Sequence, residues 1–207
     1  KVYVLEINPR SSRTVPFVSK TTGFPLAKIA TRIQTGESLD EIGITRKELK
    51  PKSTAVKMPV FPPHSKFPID TKASAEMKST GEVMAFANSF AEAFLKANLA
   101  AGNNFPNKAI TTELNGETKN TLQKAGVTLI KHENATNNDW KQAFAIATKN
   151  TQEDKSLREK AAKNTVACIS SAFAAKTLAN ALSKQGLNWQ QKTKPVSLNQ
   201  LNQEEAK

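Results

Sequence analysis

The sequence predicts an α/β protein, and three observations carry that reading. From Ala109 onward, short apolar runs alternate with segments whose apolar residues recur at helical spacing. Two of those helical segments close on a glycine, Gly126 and Gly186. The runs Val127-Thr128-Leu129-Ile130 and Thr165-Val166-Ala167-Cys168-Ile169 are β-branched and apolar, as buried strands are. Strand and helix alternating in this way imply a small parallel sheet with helices packed on it.

Taken in order, Val2-Tyr3-Val4-Leu5 reads as a buried strand, stopped by Pro9, which has no N–H to give a ladder. Phe17 to Gly23 reads as an irregular turn. Pro25 opens a helix whose Leu26, Ile29, Ala30 and Ile33 share a face, and Gly36 closes it. Ser38-Leu39-Asp40-Glu41 is a capping box for a short helix stopped by Gly43. Lys47 to Lys52 is a charged linker. Ala55 to Phe61 reads as a strand that Pro59 demotes to an edge, and Pro62, Pro63 and Pro68 make the following segment an extended loop. Ser89-Phe90-Ala91-Glu92 is a second capping box; Phe90, Ala93, Phe94 and Ala97 form the stripe of a helix reaching about Ala101.

Beyond Gly102 to Asn104 and Pro106, which suggest a domain boundary, Ala109 to Thr112 reads as a strand and Glu117 to Ala125 as a helix. Asp139 caps an expected helix over Trp140 to Thr148, with Ala143, Phe144 and Ala147 inward. Thr151 to Asp154 opens another through Leu157, Ala161 and Ala162. Ser171 caps a last helix with Phe173, Leu178 and Leu182 on one face. After Trp189 the chain is rich in Gln, Asn, Lys and Glu and reads as a mobile tail over 190–207.

The 207 residues suffice for one or two small domains, and a hydrophobic content of 38% implies a modest core. No apolar run is long enough to cross a bilayer, no charged-then-apolar leader opens the sequence, and the single Cys168 fits a reducing cytoplasm. The chain starts at Lys1 and enters a strand at once, which leads us to expect the C-terminal part of a longer protein. Net charge is +12, which invites a nucleic-acid partner. Against that, only Arg10, Arg13, Arg32, Arg46 and Arg158 are arginines, and the lysines are scattered with few aromatics among them to stack bases. Neither nucleic acid nor membrane is an expected partner.

The chemistry is densest near the start. Glu6 and Asn8 sit two apart, so on a strand both side chains project from one face. A carboxylate beside an amide carbonyl makes a pair of hard oxygen ligands suited to Mg²⁺ or Mn²⁺. Arg10 and Arg13 follow, and guanidinium forks suit phosphate or carboxylate.

These residues carry a resemblance. Glu6-Ile7-Asn8-Pro9-Arg10, then Arg13-Thr14-Val15-Pro16-Phe17-Val18-Ser19-Lys20 and Thr22-Gly23, followed by Pro25 to Ala30 and by Glu76 to Met84, resemble the end of an ATP-grasp domain in the large subunit of carbamoyl phosphate synthetase. The later pieces Asn115 to Val127, Leu157 to Ala162 and Val166 to Ser171 resemble, more weakly, the methylglyoxal-synthase-like regulatory domain of the same subunit, here about thirty residues shorter than usual, judged from typical βαβ sizes. The resemblance implies a partial ATP-grasp remnant over 1–36, a connector over 37–104, a shortened regulatory domain over 105–189 and the tail.

It further implies an ATP-dependent ligase that phosphorylates carbamate with a divalent ion and ATP, serving arginine or pyrimidine synthesis in the cytoplasm. Its partners would be the remainder of the large subunit and a glutamine-amidotransferase small subunit. Glu6 and Asn8 would hold the ion and, with Arg10, the nucleotide; Arg10 and Arg13 would stabilise the transferred group. Asn150, Thr151, Ser170 and Ser171 fall where the regulatory domain places ligand-contacting groups, although helix capping also accounts for Thr151 and Ser171. The usual Gly-Thr phosphate loop is Gly116-Glu117 here, and that carboxylate would repel a phosphate. Glu82 and Lys78 are expected to stitch domains together. The isolated chain is expected to be inactive.

Other candidates are blander. His64 and His132 have no ligand at metal spacing and read as solvated, and Cys168 reads as core packing with no base beside it. A different functional class, a stand-alone module binding a small anion or nucleotide at helix N-termini without catalysis, is the alternative. Methylglyoxal synthase activity is a poor fit, since the C-terminal half offers no His-Asp constellation for proton abstraction.

Overall fold

The structure is a computed structural model describing residues 4, 7, 9–44, 51, 53–61 and 79–192. Glu6 and Asn8, Lys78, His64, the Pro62–Pro68 loop, the Lys47–Lys52 linker except Pro51, and the tail from 193 onward lie outside the described residues. Val4, expected inside the opening strand, belongs to no helix or strand and is 77% exposed.

Two helices follow. α1 (Thr14–Thr22) runs through the segment expected to be an irregular turn. Pro16 falls within its first turn, where a missing N–H costs nothing. Thr21 and Thr22 donate their hydroxyls back to the carbonyls of Phe17 and Val18, at 2.7 and 2.8 Å, and Gly23 at φ +71° ends the helix. The threonine hydroxyls are thus satisfied within the helix. α2 (Leu26–Gln34) begins at Pro25 as expected. The Ser38–Glu41 capping box forms in full, Glu41 Oε2 accepting from Ser38 N at 2.7 Å and Ser38 Oγ from Glu41 N at 3.3 Å. The helix it announces does not propagate, because Gly43 at φ +77° turns the chain after a single turn.

β1 (Thr54–Val60) pairs antiparallel with β2 (Gly81–Ala87), a strand the sequence reading left unassigned. α3 (Phe90–Ala100) starts at Ser89, whose Oγ accepts from Glu92 N at 3.3 Å, and packs on the β1–β2 ribbon and on the C-terminal helices. Phe90 was expected in its buried stripe but is 54% exposed; Leu95 is fully buried instead.

The remaining strands form one parallel sheet: β3 (Lys108–Thr111), β4 (Thr128–Lys131), β5 (Phe144–Ile146) and β6 (Cys168–Ile169), in the spatial order β4-β3-β5-β6. α4 (Gly116–Lys124) connects β3 to β4, α5 (Asn137–Trp140) lies between β4 and β5, α6 (Gln152–Lys163) links β5 to β6, and α7 (Ala172–Gln185) follows β6. A short α8 (Trp189–Lys192) runs from the last residue before the expected tail into its first three; Trp189 is 2% exposed and Gln190 Nε2 donates to Asn104 Oδ1.

The sheet has two covered faces. Ala109, Phe144 and Ile146 face α3, α4 and α7, while Ile110 and Ala145 face α5 and α6. Two readings of the sequence fail here. The helix expected over Trp140–Thr148 is α5 followed by the central strand β5. A strand buried on both faces is a continuous apolar run, which periodicity cannot separate from a buried helix. Phe173, expected beside Leu178, is 83% exposed. Five residues of helix rotate about 140° past a full turn, which carries Phe173 off the stripe.

Gly126 closes α4 at φ +88°, and a Cβ there would lie 2.9 Å from Leu187 Cδ1. Gly126→Ala therefore meets both backbone strain and a steric clash, and we expect it to cost about 1–2 kcal/mol. Urea unfolding checks this. Adding Leu187→Ala should relieve the clash and leave the φ cost in place.

Candidate functional site

Arg10 and Arg13 are both exposed, but the structure treats them differently. Arg10 lies on the bend before α1, with Nη1 donating to Ser11 O at 3.3 Å. Arg13 is the residue immediately before α1, and its side chain makes no capping bond. It borders a cleft of about 250 Å³ between α1 and the β1–β2 ribbon, shared with Phe17, Lys20, Lys57, Glu82 and Met84.

The register of the ribbon builds this cleft. Lys57 lies opposite Met84 and Pro59 opposite Glu82, so Lys57 and Glu82 are diagonal neighbours on one face. Lys57 Nζ sits 3.2 Å from Glu82 Oε2 and 3.5 Å from Thr14 Oγ1, and 6.0 Å from the centre of the Phe17 ring. Lys57 thereby ties α1 to the ribbon, and Glu82 pairs with it across the two strands. Sequence reasoning missed Lys57, since Thr14 lies 43 residues away from it and no local pattern links the two. The cleft holds three cations, Arg13, Lys20 and Lys57, against the single carboxylate Glu82, so it favours an anion. Among the described residues no group of three or more His, Cys, Asp or Glu side chains could hold a metal ion.

The four regulatory candidates share a different place. Thr151 and Ser171 stand at the starts of α6 and α7, each directly after a parallel strand and its short loop, so Asn150, Thr151, Ser170 and Ser171 gather at the carboxyl edge of the sheet. In an open parallel sheet that edge, where the strand order reverses between β3 and β5, is where ligands lodge. The hydroxyls already cap helices: Thr151 Oγ1 accepts from Asp154 N and Ser171 Oγ from Ala174 N, both at 3.1 Å. Asn115 Oδ1 likewise accepts from Glu117 N at 2.8 Å.

The chain's own ion pairs line this edge. Glu113 pairs with Lys149 across the β3 and β5 loops, and Glu117 pairs with Lys176 Nζ at 2.9 Å, tying α4 to α7. Lys149 holds the Glu113 carboxyl below its usual range. Beneath them, fully buried Asp154 accepts a hydrogen bond from Thr112 Oγ1, and its Oδ2 has no partner among the described residues. Neither Asp154 nor Thr112 was picked out from sequence; the contact spans 42 residues and depends on the β3–β5 pairing.

His132, expected to be solvated, is 9% exposed, edge-on to Trp140 at 6.4 Å, with Nε2 unpartnered among the described residues. Trp140 and the start of a 3-10 turn at His132 shield it from water. Burial lowers its pKa from the ordinary value near 6.5; Lys160 lowers it further, and Glu153 and Glu133 oppose. The folded state therefore binds this proton less readily than the unfolded state. The associated stability is complete above about pH 6.5 and is lost as pH falls from there through the lowered folded value. Urea midpoints at pH 7.5 and 5.5 should differ, and His132→Gln should flatten that difference.

No described helix is long and apolar enough to cross a membrane. Residues 1–42, which include Glu6, Asn8, Arg10 and Arg13, match the family described as "Carbamoyl-phosphate synthase L chain, ATP binding domain". The chain is 58% identical over 106 residues to the carbamoyl phosphate synthase large chain of Pasteurella multocida, covering 51% of this chain and 10% of that protein. It is 57% identical over 109 residues to the large chain of Archaeoglobus fulgidus, covering 52% and 10%, and 55% identical over 103 residues to that of Synechocystis, covering 49% and 9%. The chain thus spans about a tenth of the length of the curated relatives it matches, and over that half of its own length it is homologous to the large chain of carbamoyl phosphate synthase.

Proposed function

We propose that this chain is the C-terminal piece of a carbamoyl phosphate synthase large chain, where it closes the second ATP-binding unit and carries a shortened regulatory domain. The observation that supports this most is the match of residues 1–42 to an ATP-binding domain, because that stretch contains the whole acid, amide and arginine set. The intact ligase would make carbamoyl phosphate from ATP, bicarbonate and ammonia or glutamine in the cytoplasm, together with an amidotransferase subunit, for arginine or pyrimidine synthesis.

Glu6 and Asn8 form an all-oxygen donor set that suits Mg²⁺ or Mn²⁺. The ion's contribution, when bound, is to neutralise charge on the nucleotide phosphates. This chain's own part is positioning and charge: Arg13, at the mouth of the cationic cleft, stabilises the anion being transferred, with Arg10 on the adjacent bend contacting nucleotide or carbamate. Lys57 keeps α1 against the ribbon and so fixes where Arg13 stands.

A graft tests the reading. The large chain of Pasteurella multocida, with its matched segment and all that follows replaced by this chain, should still form carbamoyl phosphate. The 207-residue chain alone should show no ATP turnover above a Glu6→Ala control. Turnover by the isolated chain, or an inert graft that nevertheless folds and binds ATP, would defeat it.

The stand-alone regulatory reading has one observation in its favour, the convergence of three helix starts at the carboxyl edge of the sheet, with Asn150, Thr151, Ser170 and Ser171 the residues that would touch a ligand. Their caps are taken, however, and the lysines at this edge, Lys149 and Lys176, are already paired with Glu113 and Glu117. Calorimetric titration with uridine and inosine monophosphates separates the two readings.

A further inference from the structure

Thr14 and Phe17 are three residues apart, so they share one face of α1. Lys57 meets both, with Nζ 3.5 Å from Thr14 Oγ1 and 6.0 Å from the centre of the Phe17 ring. Arg13 is the residue next to Thr14. α1 buries no residue and no side chain caps it at Arg13, so neither a packed core nor a cap fixes where it begins. Glu82 Oε2 lies 3.2 Å from the same ammonium, and the two side chains are only 33% and 24% exposed. The cleft beside them also holds Arg13 and Lys20. An unpaired lysine there would be a third cation on a flexible stem, free to follow an anion instead of staying with Thr14.

We propose that Lys57 and Glu82 act as one positioning unit for the transfer step: Glu82 anchors the Lys57 ammonium against Thr14 and Phe17, and Lys57 thereby fixes the start of α1 that carries Arg13. The inference rests on the fragment reading above and adds Glu82 to the residues that govern that site. In this role neither side chain touches the transferred group. Two residues are needed because of the charge balance. Lys57 alone would hold Thr14 through a contact at the long end of the hydrogen-bond range, and an anion entering the cleft would draw it away. The carboxylate is a full opposite charge at the closest of the three contacts, so it keeps the ammonium in place. Arg13 is then left to meet the anion from a fixed backbone. A misplacement of about 1 Å can cost about 10²-fold in rate, so loosening the start of α1 is enough to slow transfer.

The grafted large chain carries the test. Lys57→Met, which keeps the length of the stem, and Glu82→Gln should each lower kcat about tenfold and leave KM for ATP within about twofold. The double variant should lose no more than either single one, as expected of a unit. In an Arg13→Ala background neither substitution should lower kcat further, because both act through Arg13. Lys57→Arg should keep at least about a third of kcat. Lys57→Glu combined with Glu82→Lys restores an ion pair but sets a carboxylate against Thr14 and the Phe17 ring, so it should recover the melting temperature and not kcat. Lys96→Met, which breaks the similarly exposed Lys96–Glu92 pair on α3, should leave kcat unchanged. Losses that add to that of Arg13→Ala, or a reversed pair that regains kcat with stability, would overturn the proposal. An active graft indifferent to Lys57→Met and Glu82→Gln would overturn it alone, whereas an inert graft that folds and binds ATP would overturn the fragment reading with it.

Discussion

Phe144→Ala should destabilise the C-terminal α/β unit by about 3–5 kcal/mol, the cost of emptying an aromatic site in a packed core. Phe144 is fully buried in the central strand β5 and meets the Phe105 ring edge-on at 5.2 Å. Around it lie residues from α3, α4 and α7, so the void would open where three helices share one face of the sheet. None of those helices can collapse inward without leaving the others, which favours the upper part of the range. A domain of this size has a total stability of about 5–15 kcal/mol, so the variant is expected to melt at least about 12 °C lower. Phe144→Leu keeps most of the volume and should cost under about 1.5 kcal/mol. Thermal and urea unfolding followed by circular dichroism would check both, and a Phe144→Ala loss below about 1 kcal/mol would mean that β5 is not the centre of this core.

That same residue shows where the sequence stops being informative. Ala143 to Ala147 is apolar at every position, so it lacks the alternation of a half-solvated strand and mimics one side of a helix. Only its pairing with β3 on one side and β6 on the other settles the matter. β2 escaped notice for a related reason: its partner lies some twenty or more residues upstream, and nothing local to Gly81–Ala87 names it. α1 was hidden by Pro16 and its threonines, which argue against a helix one by one but are satisfied within it. By contrast, the starts of α3, α6 and α7 were legible, because a Ser or Thr cap and the amide it serves are three residues apart and need no tertiary partner.

The candidate sites divide in the same way. Residue type was enough to single out Arg10 and Arg13, but not to say that only Arg13 borders the cleft. Lys57 reaches Thr14 across 43 residues, and Thr112 reaches Asp154 across 42; both contacts depend on how helices pack beside the strands, which no short window of sequence contains. The carboxyl edge of the sheet could be inferred once strand and helix alternated, yet the ion pairs of Glu113 and Glu117 that line it appear only when the loops are placed.

Arg13→Ala, made in the grafted large chain, should lower kcat for carbamoyl phosphate formation by about 10²–10³, the usual effect of deleting one donor to a developing anion. The substitution separates function from folding cleanly. Arg13 is exposed, caps nothing and precedes α1, so the melting temperature should hold within about a degree. Arg13→Lys should recover only part of the loss, since an ammonium restores the charge but not the two-pronged geometry that a guanidinium offers to phosphate or carboxylate. Lys20→Ala supplies the internal control: it removes a cation from the same cleft, one turn or more further along α1, and should leave kcat within about threefold if the cleft acts through a positioned donor. Equal losses for Lys20→Ala and Arg13→Ala would instead point to general electrostatic attraction, which raising the salt concentration would abolish for both. An unchanged kcat in Arg13→Ala would remove Arg13 from the transfer step and leave Arg10 as the guanidinium to examine there.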